Sequence, residues 1–164
     1  MMDPAEKHFV VDTMLGKLAK WLRILGFDTR CERLDAREQI ERYRKQGFLL
    51  ITRNRRWSGE DRLICLTAND PVGQLREVVS RAPVTPQEVR LLQRCVLCND
   101  ELREVARQEA FGQVPDYVFE THASFHQCPK CRKIYWPGSH PLRMMQRLER
   151  ELGWSIEDKD QGKG

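Results

Sequence analysis

The stretch HFVVDTMLGKLAKWLRILGFD, residues 8–28, changes its hydrophobic period once, and that change decides the fold. HFVVD is a short apolar run closed by an acid, the pattern of a buried strand ending in Asp12. The following residues are apolar at Leu15, Leu18, Leu22 and Leu25, which predicts an amphipathic helix stopped by Gly26. Lys17, Lys20 and Arg23 recur every three residues along its other face, as either a solvated surface or a rail for an anion. A strand passing directly into a helix, with an acid at the junction, is the opening unit of an α/β layer.

The same alternation continues outward. FDTRCER reads as a second strand, and DAREQIERYRKQG as a helix with Asp35 and Glu38 at capping-box spacing and Gly47 at its end. FLLIT (48–52) and RLICLTAND (62–70) read as further strands, and PVGQLREVVSRA (71–82) as a helix opened by Pro71. This predicts an α/β domain with a mainly parallel sheet over residues 8–84, followed by a linker-like APVTP.

Open parallel sheets bind ligands at the C-terminal ends of their strands. Asp12, Thr52-Arg53-Asn54 and Asp70 fall there, and Asp35 and Glu38 open a helix nearby. Oxygen ligands of this kind hold divalent metals, which phosphodiester hydrolysis commonly needs. Each also has a structural use. Asp12 and Asp70 suit helix caps, Asp35 and Glu38 a capping box, and Asp61 a solvated loop. From these residues alone, a metal-dependent nuclease and a nucleotide-binding fold both stay open.

The second half is built differently. Cys95-Val-Leu-Cys98 and Cys128-Pro-Lys-Cys131 are two C-x-x-C turns separated by 29 residues. Two such turns facing each other supply a tetrahedral four-thiolate site, which suits structural zinc and leaves no open catalytic position. Two such pairs in one small module are poorly explained by a redox dithiol. The segment 90–145 is short of large aliphatic residues, so zinc is the simplest source of its stability. His126 reads as a neighbour of this site rather than a ligand. PLRMMQRLERELG reads as a helix, with 146–164 forming the helix end and a flexible polar tail, SIEDKDQGKG.

The 164 residues are 40% hydrophobic and 32% charged, a globular rather than disordered composition. No apolar run reaches the roughly 20 residues that cross a bilayer. The N-terminal MMDPAEKH has no apolar signal core, so the expectation is a cytoplasmic protein without a membrane partner. The net charge of +4 is uneven: residues 1–94 carry 18 Lys/Arg against 13 Asp/Glu (+5), and residues 95–164 carry 10 against 11 (−1). The basic excess therefore points to an anionic partner for the first half.

The segments FVVDTMLGKLAKWLRILGFD, LLITRN and VPDYVFETHASFHQCPKCRKIYWPGSH resemble the Mut-seven C-terminal RNase domain family, over roughly residues 8–145. Two blocks carry most of the likeness. One is D-x-M-L-G-x-L-A-x-W-L-R-x-L-G-[FY]-D, matched by Asp12 through Asp28; the other is the terminal C-P-x-C…Y-W-x-G-S-H. The resemblance implies a PIN-like α/β/α sandwich with a zinc ribbon and an acidic, magnesium- or manganese-dependent ribonuclease site. By this likeness Asp12 is the first-strand acid and Asp35 the acid opening the second helix, with Glu38 close to it; Glu38 and, from its place at a strand end, Asp70 are accessory candidates. The family's T-R-D is T-R-N here. Asn54 can coordinate a metal but brings no charge and cannot act as a base. VapC-type PIN toxins, which the region also resembles, place an aspartate after T-R-N, and Asp61 is the nearest match.

Two functions follow. In a ribonuclease, Asp12, Asp35, Asn54 and Asp61 form the catalytic set. Lys17, Lys20, Arg23, Arg53, Arg55 and Arg56 then hold the RNA backbone, and Trp57 stacks a base. In the alternative, the chain is an RNA- or ribonucleoprotein-binding module with weak or no catalysis because of Asn54.

Overall fold

Strands β1 (His8–Asp12), β2 (Asp28–Glu32), β3 (Leu49–Thr52) and β4 (Leu63–Cys65) pair in parallel in the order β2-β1-β3-β4. The computed structural model describes residues 7–154; the polar tail expected to be flexible lies outside the described residues. Helices α1 (Gly16–Ile24), α2 (Arg37–Lys45) and α3 (Pro71–Arg81) cover the sheet on both faces. Alternation along β1 explains how. Phe9 and Val11 point into a core shared with Leu18 and Leu22 of α1 and Leu75 and Val78 of α3. Val10 points the other way, with Leu50, toward Ile40 and Tyr43 of α2. Strands buried on both faces read as continuous apolar runs, which is why HFVVD and FLLIT were legible.

Three local details differ from the sequence reading. The fourth strand is Leu63–Cys65 rather than 62–70. Beyond it, the Glu77 carboxylate accepts the backbone N–H groups of Thr67 and Ala68, at 3.0 and 2.6 Å, and draws the chain off the sheet. The capping box at Asp35 and Glu38 does not form, because Ala36 occupies the cap position of α2. The loop register is set instead by Leu34, which is 1% exposed and whose carbonyl accepts the Trp57 indole N–H at 3.1 Å. The APVTP segment is not a free linker. Val84 is buried in the first core, and Arg90 N–H bonds the Leu25 carbonyl at 2.9 Å. Gly26 sits at φ +99°, and a Cβ there would lie 2.3 Å from the Arg90 carbonyl oxygen, so only glycine fits both demands.

The second unit contains β5 (Arg103–Val105), β6 (Phe125–Gln127) and β7 (Ile134–Tyr135), antiparallel in the order β5-β6-β7. Short helices α4 (Arg107–Ala110) and α5 (Asp116–Thr121) close a small core around Phe125, Val118 and Ile134. Helix α6 (Ser139–Leu152) then returns to the first unit. It runs through the boundary expected at 145/146, and Leu148 is buried in the first core with Leu152 and Trp154 against it. An amphipathic helix needs an apolar partner larger than the ribbon core provides. Among the described residues, no helix is long and apolar enough to cross a membrane.

Candidate active site and cysteine metal centre

The strand order reverses between β1 and β3, the switch point at which open parallel sheets bind ligands. Asp12 ends β1 and Thr52 ends β3, so one residue stands on each side of it. Thr52 Oγ1 donates to Asp12 Oδ2 at 2.7 Å and accepts the Asn54 backbone N–H at 3.0 Å. Both side chains are buried. Among the described residues Asp12 makes no side-chain cap bond to the 3-10 turn that follows, so its carboxylate is held by the sheet rather than used as a helix cap.

On its other side Asp12 is in register with Glu32, the last residue of β2. Alternation places Glu32 with Arg30 on the α2 face, where the Arg30 guanidinium lies 5.0 Å from the Phe48 ring centre. Glu32 Oε2 is buried and has no hydrogen-bond partner among the described residues. Thr52 in turn pairs with Cys65 of β4. The row Glu32, Asp12, Thr52, Cys65 therefore crosses the whole sheet at its C-terminal edge. Sequence reasoning missed Glu32. Its signal was a strand-ending acid, but DTRCE becomes the neighbour of β1 only once the strand order is known.

The other candidates spread out. Asn54 sits on the edge, and its Oδ1 accepts Arg56 N–H at 3.1 Å, capping the 3-10 turn Arg55–Trp57. Asp35 and Glu38 are in and after the β2–α2 loop on the same edge, both exposed, with Asp35 paired to Arg33 at 3.2 Å. Asp70 caps α3 by accepting Gly73 N–H at 2.9 Å. Asp61 is not brought to this edge. It precedes β4, and because β4 runs parallel to β3 it lies at the opposite, N-terminal edge.

The expected RNA contacts also divide. Trp57 is 1% exposed, packed in the second core beneath the guanidinium of Arg56 at 4.6 Å, so it cannot stack a base. Arg23 is committed to the fold: its Nε bonds the Thr29 carbonyl at 2.9 Å and its Nη1 the Val96 carbonyl at 2.9 Å. Lys17, Lys20, Arg53, Arg55 and Arg56 stay exposed, with Arg53 also touching Asn69.

A buried carboxylate oxygen without a donor is costly, and a second carboxylate one strand away adds repulsion. A divalent cation with mostly oxygen ligands removes both penalties, and magnesium needs only one or two protein carboxylates besides water and phosphate. Glu32 and Asp12, in register at this edge, are two such carboxylates.

In the ribbon, the thiols of Cys95, Cys98, Cys128 and Cys131 all lie within 4.8 Å of one another. Cys95 and Cys131 sulfurs are 3.7 Å apart, close to the edge of about 3.8 Å expected for a tetrahedron of 2.3 Å zinc–sulfur bonds. Burial opposes ionisation of Cys95, yet hydrogen bonds from the Tyr135 hydroxyl and the backbone N–H groups of Cys98 and Leu97 bring its pKa down to about 7, while burial and the neighbouring sulfurs push the Cys98 thiol up. The four-cysteine cluster thus fits zinc.

A model of the Mut7-C RNAse domain matches residues 7–148, spanning the sheet, the ribbon and the return to Leu148. The chain belongs to the Mut7-C RNase domain family. No curated protein and no solved structure matches it. In this Mut7-C chain the first cysteine turn is docked on the outer edge of β2. Asn99 Oδ1 accepts Thr29 N–H at 2.9 Å, Asn99 Nδ2 donates to Asp28 Oδ1 at 2.6 Å, and His8 Nδ1 meets the other Asp28 oxygen at 2.7 Å. The edge strand is thereby closed by the ribbon.

Proposed function

We propose that this Mut7-C protein is a metal-dependent ribonuclease in which Asp12 and Glu32 hold a magnesium or manganese ion. The observation that carries the reading is the partnerless buried Glu32 oxygen beside Asp12 at the switch point. A bound cation would supply an activated water and charge neutralisation at the phosphate. The chain's residues have separate tasks. Thr52 fixes one Asp12 oxygen by hydrogen bond and leaves the other for a ligand. Asn54 Oδ1 keeps a second lone pair and serves as an accessory ligand, without base character. Asp35 and Glu38, exposed on the same edge, act as outer carboxylates that bind through water. Arg53, Arg55 and Arg56 form a cationic rim for the RNA backbone. Family membership and the basic excess of the first half support RNA as the substrate.

The test is cleavage of labelled RNA by zinc-loaded protein with magnesium, manganese or EDTA, zinc content being verified by native mass spectrometry. Asp12→Asn and Glu32→Gln should each lower the rate about 100-fold or more, the scale of losing several kcal/mol of metal-borne stabilisation. Cleavage indifferent to EDTA and to Asp12→Asn would sink the proposal. Asn54, together with the placement of Asp61 at the opposite sheet edge and the use of Asp70 as the cap of α3, favours the second reading, an RNA-binding module. RNA binding without cleavage in any metal would establish it.

A further inference from the structure

A groove of about 460 Å³ separates α1 from the cysteine ribbon. Lys17, Lys20, Trp21 and Ile24 form one wall, the i, i+3, i+4, i+7 face of the helix. Across from them stand Tyr117, Lys133 and Trp136 of the ribbon. Among the described residues that line the groove, none is acidic. Tyr117 is 69% exposed, a large aromatic ring held at the rim in water. The ribbon wall is tied to the cysteine cluster: Tyr135, also lining the groove, bonds the Cys95 sulfur at 3.2 Å through its hydroxyl.

Aromatic side chains, Trp21 and Trp136 half-buried and Tyr117 exposed, interleaved with lysines that face no acid in the lining match one ligand chemistry, a base attached to a phosphate. We propose that this groove binds unpaired nucleotides of an RNA strand, with bases on Trp21, Tyr117 and Trp136 and phosphates on Lys17, Lys20 and Lys133. The choice of RNA as the ligand rests on the ribonuclease reading. The cavity volume falls within the range of small-ligand sites, and a base already paired and stacked in a duplex has no free face to offer these rings. The groove also begins close in sequence to the carboxylate edge. Helix α1 follows Asp12 after the turn Thr13–Leu15, and Lys17 lies in its first turn. From Lys17 to Ile24 the helix rises about 10 Å, the length of about three stacked nucleotides. The ribbon is then half of the RNA site, not only an appendage, and the stacking role that Trp57 cannot fill is supplied from the other side of the molecule.

The experiment is fluorescence anisotropy of a labelled ten-nucleotide RNA, single-stranded and as a duplex of the same sequence, on zinc-loaded full-length protein without added magnesium or manganese. The single strand should bind at least tenfold more tightly. Tyr117→Ala should weaken it about fivefold or more, the loss of one stacked base. Lys17→Ala with Lys20→Ala should lower the slope of log affinity against log salt by about 1.4. All three positions are exposed, and circular dichroism checks that the variants fold. Duplex binding as tight as single-strand binding, no RNA binding by the wild type, or affinity unchanged in both variants would overturn the proposal. The two readings separate cleanly. Absent cleavage with groove-dependent binding removes the nuclease and keeps the groove, whereas cleavage with binding indifferent to these variants removes the groove alone.

Discussion

Thr52 has one hydroxyl and uses both of its capacities, donating to Asp12 and accepting from the Asn54 backbone. It is fully buried, so water cannot replace either bond. Thr52→Val keeps the shape and removes both, leaving a buried donor and acceptor unpaired at a cost of about 1–3 kcal/mol. Cleavage should fall chiefly in kcat, since Asp12 loses its orientation while the RNA surface is untouched, and Thr52→Ser should restore it. Urea denaturation and initial rates measure the two effects; a valine variant unchanged in both has no place in the site. At this scale the sequence was informative about Asp12, because an acid closing an apolar run has few explanations. It was misleading about Trp57. An indole after two arginines reads as a base platform, but burial depends on a core assembled from Leu34, Ile40 and Tyr43, none adjacent to it in sequence.

Among elements, β1 and α1 were legible because the hydrophobic period changes from strand to helix within a few residues. The end of β4 and the start of α2 were not, since each is set by a bond from a residue nine or more positions away. The edge of β2 shows the same dependence. Burial by itself would raise the Asp28 pKa, but the hydrogen bonds from Asn99 and His8, with the nearby charge of Arg94, hold it below the usual carboxylate value. A depressed carboxylate pKa contributes stability that is complete above the unfolded value of about 3.9 and is lost as pH falls through the lower folded value. The docking of the cysteine turn on β2 is therefore expected to persist to about pH 4 and to weaken below it. Hydrogen exchange at the Thr29 amide, which donates to Asn99, reads this directly. Asp28→Asn should remove that acid limb; a Thr29 protection profile unchanged by the substitution contradicts the assignment.

For the whole molecule, the ribbon and the α/β unit share a boundary that Arg23, Asn99 and Asp28 close from one side and α6 from the other. Removing metal from the four-cysteine cluster, which fits zinc, should therefore be felt in both. Chelation is expected to unfold the ribbon, whose core is too small to stand alone, and to expose Thr29 N–H on the sheet edge. Native mass spectrometry for the loss of one zinc, followed with Thr29 exchange, tests this; a metal-free protein with full Thr29 protection would show the docking to be independent of the metal.

The α/β class, the strand-ending Asp12 and the four-cysteine pattern were determined by the sequence itself, because hydrophobic period and C-x-x-C spacing act over a few residues at a time. Only the tertiary structure decided that Glu32 stands beside Asp12, that Asp61 lies at the far edge and that Trp57 is buried. It alone set α1 against the ribbon across a basic, aromatic groove. The physical reason is strand order and packing: which residues become neighbours across a parallel sheet depends on where each crossover returns, and no local pattern encodes that.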